Sequence, residues 1–448
     1  MTQLTGKHVV IGLGKTGLSC VRFLKRLGCN VVVIDTRSEP PGMETLKSEF
    51  RDVPLLCGEL SQFKLDQAQE LIVSPGVPIQ TPAIAKAMCK GVPVAGDIEL
   101  FARSVDAPVL AVTGSNGKST VVSLLGAALN AVGWNVCVAG NIGLPVLDAL
   151  TELPQVDVWV LELSSFQLET THSLRARVAL NLNLSEDHMD RYDSFGDYAM
   201  AKQRIFDGCD HAVYWLDDYR TRPAQGGQSM KSYGGSGEQR SRFYVADHNG
   251  QACVWDGDKP VLNEAQLKIK GQHNLLNLAA VLTVLVEFDV NYSEALPALS
   301  VFPGLPHRCQ WVARIDGVDW YNDSKGTNVG STIAAINGLV GSVQGKLIWL
   351  AGGVGKDADF STLLQPVSKH VGLSILYGRD AQQIKDGLAS VENVMVVSDL
   401  DQAVQAADQA AKPGDVVLLS PACASFDQFA NYEARGEHFM QVVRRLSE

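Results

Sequence analysis

Paired cysteines are missing from this sequence. Its nine cysteines stand singly, with no Cys-x-x-Cys spacing, which excludes a disulfide scaffold and a zinc knuckle and fits a reducing compartment. No apolar run approaches the roughly 20 residues that a membrane-spanning helix requires. A basic excess is missing too. Lys and Arg number 38 against 49 Asp and Glu, a net charge of −11, so non-specific nucleic-acid binding is excluded while anionic small molecules are not. The opening stretch MTQLTGKHVVIGLG runs straight into a strand and a glycine turn, without the apolar core and cleavage site of a secretory signal. The expected location is cytoplasmic. Low-complexity tails and coiled-coil heptads are absent as well, and a monomer is the expected state.

What is present reads as α/β throughout. At roughly 150 residues per domain, 448 residues suggest about three domains. Lys7–Ile11, Asn30–Ile34 and Glu70–Val73 are apolar strand-like runs, and Gly17–Leu27 between the first two reads as a helix. This is the pattern of a parallel sheet with crossover helices. A second alternating stretch starts near Gly96, and Asn274–Phe288 closes it as a helix. Thr221–Gly237, rich in Gly, Ser and Gln, is expected to loop out between short strands. A third unit starts near Gly304, with strands expected at Asp319–Tyr321, Lys346–Leu350, Leu373–Leu376, Val394–Val397 and Val416–Leu419.

Two glycine loops carry the chemistry. Gly12-Leu13-Gly14-Lys15-Thr16-Gly17 follows a strand and opens a helix, with Asp35 ending the next strand. That spacing matches a dinucleotide fingerprint, although any nucleoside diphosphate can use a glycine turn and a helix N-terminus. The second loop, Thr113-Gly114-Ser115-Asn116-Gly117-Lys118-Ser119-Thr120, ends like a phosphate loop but is shorter than G-x-x-x-x-G-K-[ST]. Lys118 suits terminal phosphates and Ser119 suits Mg²⁺, and a dehydrogenase needs neither. A chain with both loops is expected to bind two phosphorylated compounds, one of them ATP.

Glu162 ends an apolar strand where an NTPase places its Mg²⁺-organising acid. Ser185-Glu186-Asp187-His188-Met189-Asp190 follows another strand at the same sheet edge, where ligands gather in open α/β folds. Carboxylates suit Mg²⁺; His188 by itself reads as a capping or packing histidine. Lys202 lies on an expected helix, Tyr198–Phe206, where a lysine is ordinarily solvated.

The shortened loop resembles that of the Mur ligases and the related folylpolyglutamate synthases, in which G-x-x-G-K-[ST]-T is the rule. Further blocks match in order: Asn141-Ile142-Gly143, Glu162-Leu163-Ser164-Ser165-Phe166-Gln167, Asp187-His188-Met189-Asp190, Gly271-Gln272-His273-Asn274 with Asn277, and Pro306-His307-Arg308. Asn322 to Asn328 and Ser420 to Phe429 are similar to the family member that adds D-glutamate. The resemblance implies an N-terminal Rossmann-like domain for a uridine nucleotide (1–95), a central P-loop-type ATPase domain with a parallel sheet (96–303) and a C-terminal Rossmann-like domain for the incoming amino acid (304–448). It implies ATP-dependent amide formation on UDP-N-acetylmuramoyl-L-alanine through an acyl phosphate, in the cytoplasmic stage of peptidoglycan synthesis. ATP, Mg²⁺ (two ions) and small-molecule substrates are then the ligands, with neither nucleic acid nor membrane as partner.

The resemblance also implies roles. Gly114, Asn116, Gly117, Lys118, Ser119 and Thr120 would hold ATP phosphates, Asn274 and Asn277 the adenine, and Arg308, Asp323 and Lys325 would complete the nucleotide site. Ser119 and Glu162 would ligate one Mg²⁺. His188 and Lys202, the latter carbamylated by CO₂, would serve a second ion, and Lys118, His188 and Lys202 would be catalytic. Gly14, Lys15, Thr16, Asp35, Thr36, Arg37 and Gly76 would hold the uridine nucleotide, with Asn141 and His188 near its acceptor carboxylate. His188, Thr327, Lys356, Ser425 and Phe426 would hold D-glutamate. Val354, within Gly352-Gly353-Val354-Gly355-Lys356, departs from the polar or acidic residue that relatives carry. Nucleotide groups on separate domains imply closure, with a hinge expected near Phe302–Pro306. A nicotinamide dehydrogenase, a sibling ligase and a non-catalytic nucleotide sensor stay open at this point.

Overall fold

The computed structural model describes residues 4–153, 155–224, 228–340 and 343–446. It divides into two compact units: Met1–Asn183 with Gly196–Phe243 and Ala280–Leu299, and Leu184–Phe195 with Tyr244–Ala279 and Ser300–Glu448. All strands of the first unit's two main sheets run parallel.

The first sheet has the order β3-β2-β1-β4-β5, with β1 His8–Ile11, β2 Val31–Asp35, β3 Leu55–Cys57, β4 Glu70–Val73 and β5 Val94–Ala95. Runs such as Val31-Val32-Val33-Ile34-Asp35 are buried along their whole length, as strands covered on both faces must be. The helix Lys15–Arg26 turns Leu18, Val21 and Leu24 inward and carries Lys25 and Arg26 in its last turn, where cations complement the dipole. Chain direction across the sheet reverses between β1 and β4, and the loops after them, Gly12–Gly17 and Ser74–Gly76, share one carboxyl edge.

The second sheet has the order β11-β10-β9-β6-β8-β7, with β6 Val109–Thr113, β7 Val136–Gly140, β8 Val158–Glu162, β9 Val178–Asn181, β10 His211–Trp215 and β11 Ser229–Tyr233. β6 lies between β9 and β8, so the loops at 114–117 and 182–183 leave adjacent strand ends beside Glu162. The stretch expected to loop out between short strands itself supplies β11, pairing parallel with β10, and β12 Gly235–Ser236, which forms a hairpin with β13 Gln239–Arg240 just beyond it. Its residues 225–227 lie outside the described residues.

The second unit holds a three-stranded sheet, β14 Phe243–His248, β15 Gln251–Asp256 and β16 Lys259–Asn263, entered from the first unit at Phe243. Its large sheet has the order β17-β18-β22-β19-β20-β21, with β17 Gln310–Ile315, β18 Val318–Asn322, β19 Leu347–Gly352, β20 Val371–Tyr377, β21 Val394–Val396 and β22 Val416–Leu419. Only β17 is antiparallel, forming a hairpin with β18. The central neighbours β18, β22 and β19 are parallel. The loops at 323–328, 420–426 and 353–356 therefore emerge side by side.

Candidate active site

In the first unit the opening glycine loop is held by Asp35. Its Oδ2 accepts from the Leu13 amide at 2.7 Å and from the Arg37 guanidinium at 2.7 Å. Its Oδ1 accepts from Arg37 Nε at 2.8 Å. Burial alone would raise this carboxyl, but the Arg37 and Leu13 hydrogen bonds outweigh it and hold it at about 2. Gly17 is required here, because a Cβ would lie 1.9 Å from the Gly12 carbonyl. Nothing lies within 4 Å of a Cβ at Gly14 or Gly76. Lys15, Thr36 and Arg37 are exposed beside them and Thr16 half-buried. The four positions expected near the diphosphate, Gly14, Lys15, Thr16 and Gly76, thus share one edge with Asp35, Thr36 and Arg37, expected around the uracil and ribose.

The second loop is short because β9 braces it from the side. Asn183 accepts from the Asn116 amide at 2.9 Å and donates to the Asn116 carbonyl at 3.0 Å. The Asn183 carbonyl accepts from the Ser115 amide at 2.8 Å. Gly117 caps the helix Lys118–Ala131 in a left-handed conformation, φ 85°, which glycine adopts without strain. Lys118 Nζ folds back onto the carbonyls of Gly114 and Ser115, at 2.7 and 2.8 Å. Ser119 and Thr120 are buried in the first turn of that helix, where backbone amides favour an anion.

Lys202 is buried, not solvated. Only 2% of it is exposed. Its ammonium donates to the Gly114 carbonyl at 2.9 Å and to Thr113 Oγ1 at 3.3 Å, and it lies 4.9 Å from the Tyr198 ring centroid. Tyr198 OH is 2.9 Å from Ser115 Oγ. One buried helix face thus reaches both the strand and the loop.

Glu162 is equally buried. Its Oε1 accepts from Asn141 Nδ2 at 3.0 Å, while its Oε2 has no hydrogen-bond partner among the described residues. A buried carboxylate oxygen without a partner is costly, and a divalent cation is the ligand that suits it. Gly140 lets Asn141 turn back onto β8, since a Cβ there would lie 2.3 Å from the Glu162 carbonyl. The neighbouring Ser164–Gln167 block forms a capping box, and Gln167 Nε2 donates to Asp97 at 3.1 Å.

In the second unit, His188, Lys356 and Asn328 converge through Asp187. The carboxylate accepts from Asn328 Nδ2 at 3.1 Å and Lys356 Nζ at 3.3 Å. His188 Nε2 is 3.7 Å from it. His188, His307, Cys309, Lys356, Asp357 and Ala422 all have φ between 43° and 61°, a strained region for these residue types that concentrates at functional loops. Among the described residues no three His, Cys, Asp or Glu side chains gather as a ready metal cage.

Asn274 Nδ2 donates to the Lys270 carbonyl at 2.8 Å, so it acts as an end-of-helix tie for Gln272–Glu287. Asn277 lies one turn on, 3.4 Å from Asn274 Oδ1. His273, one residue before Asn274, fits between Gly271 and Gly338, where a Cβ on either would come within 2.9 Å of the ring. Burial, reinforced by the Arg308 charge, pulls His273 down to about 4. Asp323 accepts from Ser420 Oγ at 2.7 Å and the Cys309 amide at 3.1 Å. Burial outweighs those bonds and raises it to about 6. Thr327 is half-buried, Ser425 is 2% exposed and Phe426 72% exposed. Val354 contributes backbone, exchanging hydrogen bonds of 2.8 and 2.9 Å with Ala424 and so tying two of the loops together.

Sequence reasoning missed Arg435. It is 1% exposed and donates to Ser324 Oγ at 3.0 Å, Ser324 O at 2.9 Å, Cys423 O at 3.1 Å and Gly352 O at 3.4 Å. These acceptors belong to all three loops that carry Lys325, Lys356 and Ser425. On the helix Tyr432–Arg445 it reads as one more surface charge, and only the fold reveals it. Asn183 and Tyr198 were also passed over.

Three family models match in order: Mur ligase MurD-like, N-terminal domain, at residues 6–96; Mur ligase middle domain at 112–285; and Mur ligase, glutamate ligase domain, at 307–423. The chain is 46% identical over 442 residues to a UDP-N-acetylmuramoylalanine--D-glutamate ligase of Legionella pneumophila (strain Paris), covering 98% of this chain and 99% of that protein. It is 46% identical over 450 residues to the protein of the same name from Pseudomonas fluorescens, covering 100% of both. The fold is shared with a MurF ligase from Thermotoga maritima solved in complex with ADP, at TM-score 0.62 and 16% identity over the whole of both chains. With all three segments matched and near-half identity end to end, the chain belongs to the Mur ligase family.

Proposed function

We propose that this chain joins D-glutamate to UDP-N-acetylmuramoyl-L-alanine in an amide bond, at the expense of ATP. One observation carries the choice of reaction: 46% identity across 98% of the chain to a protein named for it. The phosphate loop, the orphaned Glu162 oxygen and the Lys356 cluster support the chemistry.

A carboxylate resists attack because its leaving group would be oxide. Its oxygen attacks the γ-phosphorus of ATP, ADP leaves, and the product is an acyl phosphate. The amine nitrogen of D-glutamate then attacks the acyl carbon, phosphate leaves, and a proton is released. The protein's part is positioning and charge neutralisation. The amides of Gly114 to Thr120 receive phosphate oxygens, and Lys118 exchanges its two loop carbonyls for them. Ser119 and Glu162 would hold Mg²⁺, which offsets the charge of the phosphoryl group. Asn141 keeps Glu162 oriented and would face the acceptor carboxylate. Asn274, Asn277, Arg308, Asp323 and Lys325 would serve the nucleotide. Asp35, Thr36, Arg37, Gly14, Lys15, Thr16 and Gly76 would hold the uridine diphosphate. Lys356, paired with Asp187 here, would transfer its charge to a carboxylate of D-glutamate beside Thr327, Ser425 and Phe426.

Lys202 fits carbamylation. Its amine and CO₂ give a carbamate and a proton, and the product keeps one N–H for the Gly114 carbonyl while gaining two acceptor oxygens for a second cation. We read the enzyme as a cytoplasmic monomer, and no helix among the described residues is long and apolar enough to cross a membrane. The test of the mechanism is isotopic. With ¹⁸O in the terminal carboxylate of the uridine substrate, one ¹⁸O per turnover appears in the released phosphate. Unlabelled phosphate would rule out the acyl phosphate.

A further inference from the structure

Lys325 and its neighbour Ser324 are both seated on the first turn of one helix, Tyr432–Arg445. Lys325 Nζ lies 3.8 Å from the centroid of the Tyr432 ring. Ser324 Oγ donates to the Tyr432 carbonyl at 2.8 Å and accepts from Arg435 Nε at 3.0 Å. The ring itself is fixed from the side: the His307 imidazole meets it edge-on, at 6.1 Å and 80°. His307 is fixed in turn by Asn322, whose amide nitrogen is 2.9 Å from Nδ1, and its carbonyl accepts from the Lys325 amide at 3.0 Å. Gly436 makes the approach possible, because a Cβ there would lie 2.2 Å from His307 Nδ1.

A lysine side chain has four rotatable bonds and loses close to 2 kcal/mol of rotamer freedom when fixed. A strand-end loop does not fix it unaided. An aromatic face within 6 Å of the ammonium attracts it through the ring quadrupole, and that attraction does not neutralise the charge. A carboxylate in the same place would hold the lysine more firmly but would cancel its field toward an anion. We propose that Tyr432 is a positioning residue, whose ring face holds the Lys325 ammonium charged and aimed for a nucleotide phosphate. This rests on the reading that Lys325 serves ATP.

The test uses the full-length enzyme and ATP, with D-glutamate and the uridine substrate saturating. Lys325→Met is measured first, by kcat/KM for ATP. Tyr432 is then replaced by phenylalanine and by its mono-, di- and trifluorinated forms, and by cyclohexylalanine. These keep size while weakening and finally removing the quadrupole. Tyr432→Phe is the reference for the series. We expect kcat/KM for ATP to fall stepwise along it, by about 2- to 30-fold in total, the equivalent of one cation–π contact. KM for D-glutamate and the melting temperature stay constant along the fluorinated members. A flat series with Lys325→Met strongly impaired would overturn the clamp alone. An unimpaired Lys325→Met would overturn the nucleotide role of Lys325 and the clamp with it.

Discussion

Among the described residues, each unit of the molecule buries one lysine or arginine beneath its functional loops, and the two are of different kinds. In the first unit Lys202, 2% exposed, reaches the Gly114 carbonyl and the Thr113 hydroxyl. In the second, Arg435, 1% exposed, reaches oxygens of Ser324, Cys423 and Gly352. Arg435 sits in the first turn of its helix, where the dipole disfavours a cation. A guanidinium is a rigid fork of five donors that stays charged, whereas an amine is a point charge that can give up its proton and react. The arginine therefore suits a permanent clip across three loops. The lysine suits chemistry at one place.

The comparison breaks most visibly by truncation. Lys202→Met should lower amino-acid-dependent phosphate release by at least about 100-fold, the scale of losing one preorganised charged group, while the urea midpoint moves little. Arg435→Met should do the reverse in rank, lowering unfolding free energy by about 3 kcal/mol or more, because buried oxygens on three loops lose their donor. Equal stability losses in the two variants would erase the distinction. Glu162→Gln comes next. It preserves the acceptor facing Asn141 and puts an amide NH₂, which cannot bind a cation, in place of the other oxygen, so the Mg²⁺ concentration for half-maximal rate should rise by about 10- to 100-fold. Gly436→Ala drives a methyl into His307 and should cost about 1–3 kcal/mol.

The smallest effects are in pH dependence, and they oppose each other. His273 is depressed to about 4, so its contribution to stability is present above its ordinary value and is lost as pH falls toward 4. Asp323 is raised to about 6, so its contribution is present below the ordinary carboxyl value and is lost as pH rises through 6. Between about pH 4 and 6 the two slopes offset. Relative to the parent, His273→Gln should make unfolding free energy rise on acidification and Asp323→Asn should make it fall, each by up to about 1.4 kcal/mol per pH unit. Chemical denaturation at a series of pH values reads both slopes.

Much of this was legible in the residues. Fully apolar runs such as Val31–Ile34 and Val416–Leu419 became central parallel strands, because a strand covered on both faces has no polar alternative. The glycine loops were legible because backbone approach demands glycine whatever the ligand. The edge strand Ser229–Tyr233 was not: three of its five residues are exposed, so no apolar pattern marks it. The burial of Lys202 and of Arg435 was opaque for the opposite reason. A charged residue on a helix looks solvated until the partners that make its burial tolerable arrive from distant strands. Asn183 and Tyr198 likewise act through contacts more than 60 residues away along the chain.

The central claim is the reaction, and phosphate release from ATP tests it most directly. With UDP-N-acetylmuramoyl-L-alanine present, D-glutamate should elicit release while L-glutamate, glycine and meso-diaminopimelate do not. Release with one of the other amino acids, or with none of them, would contradict the account.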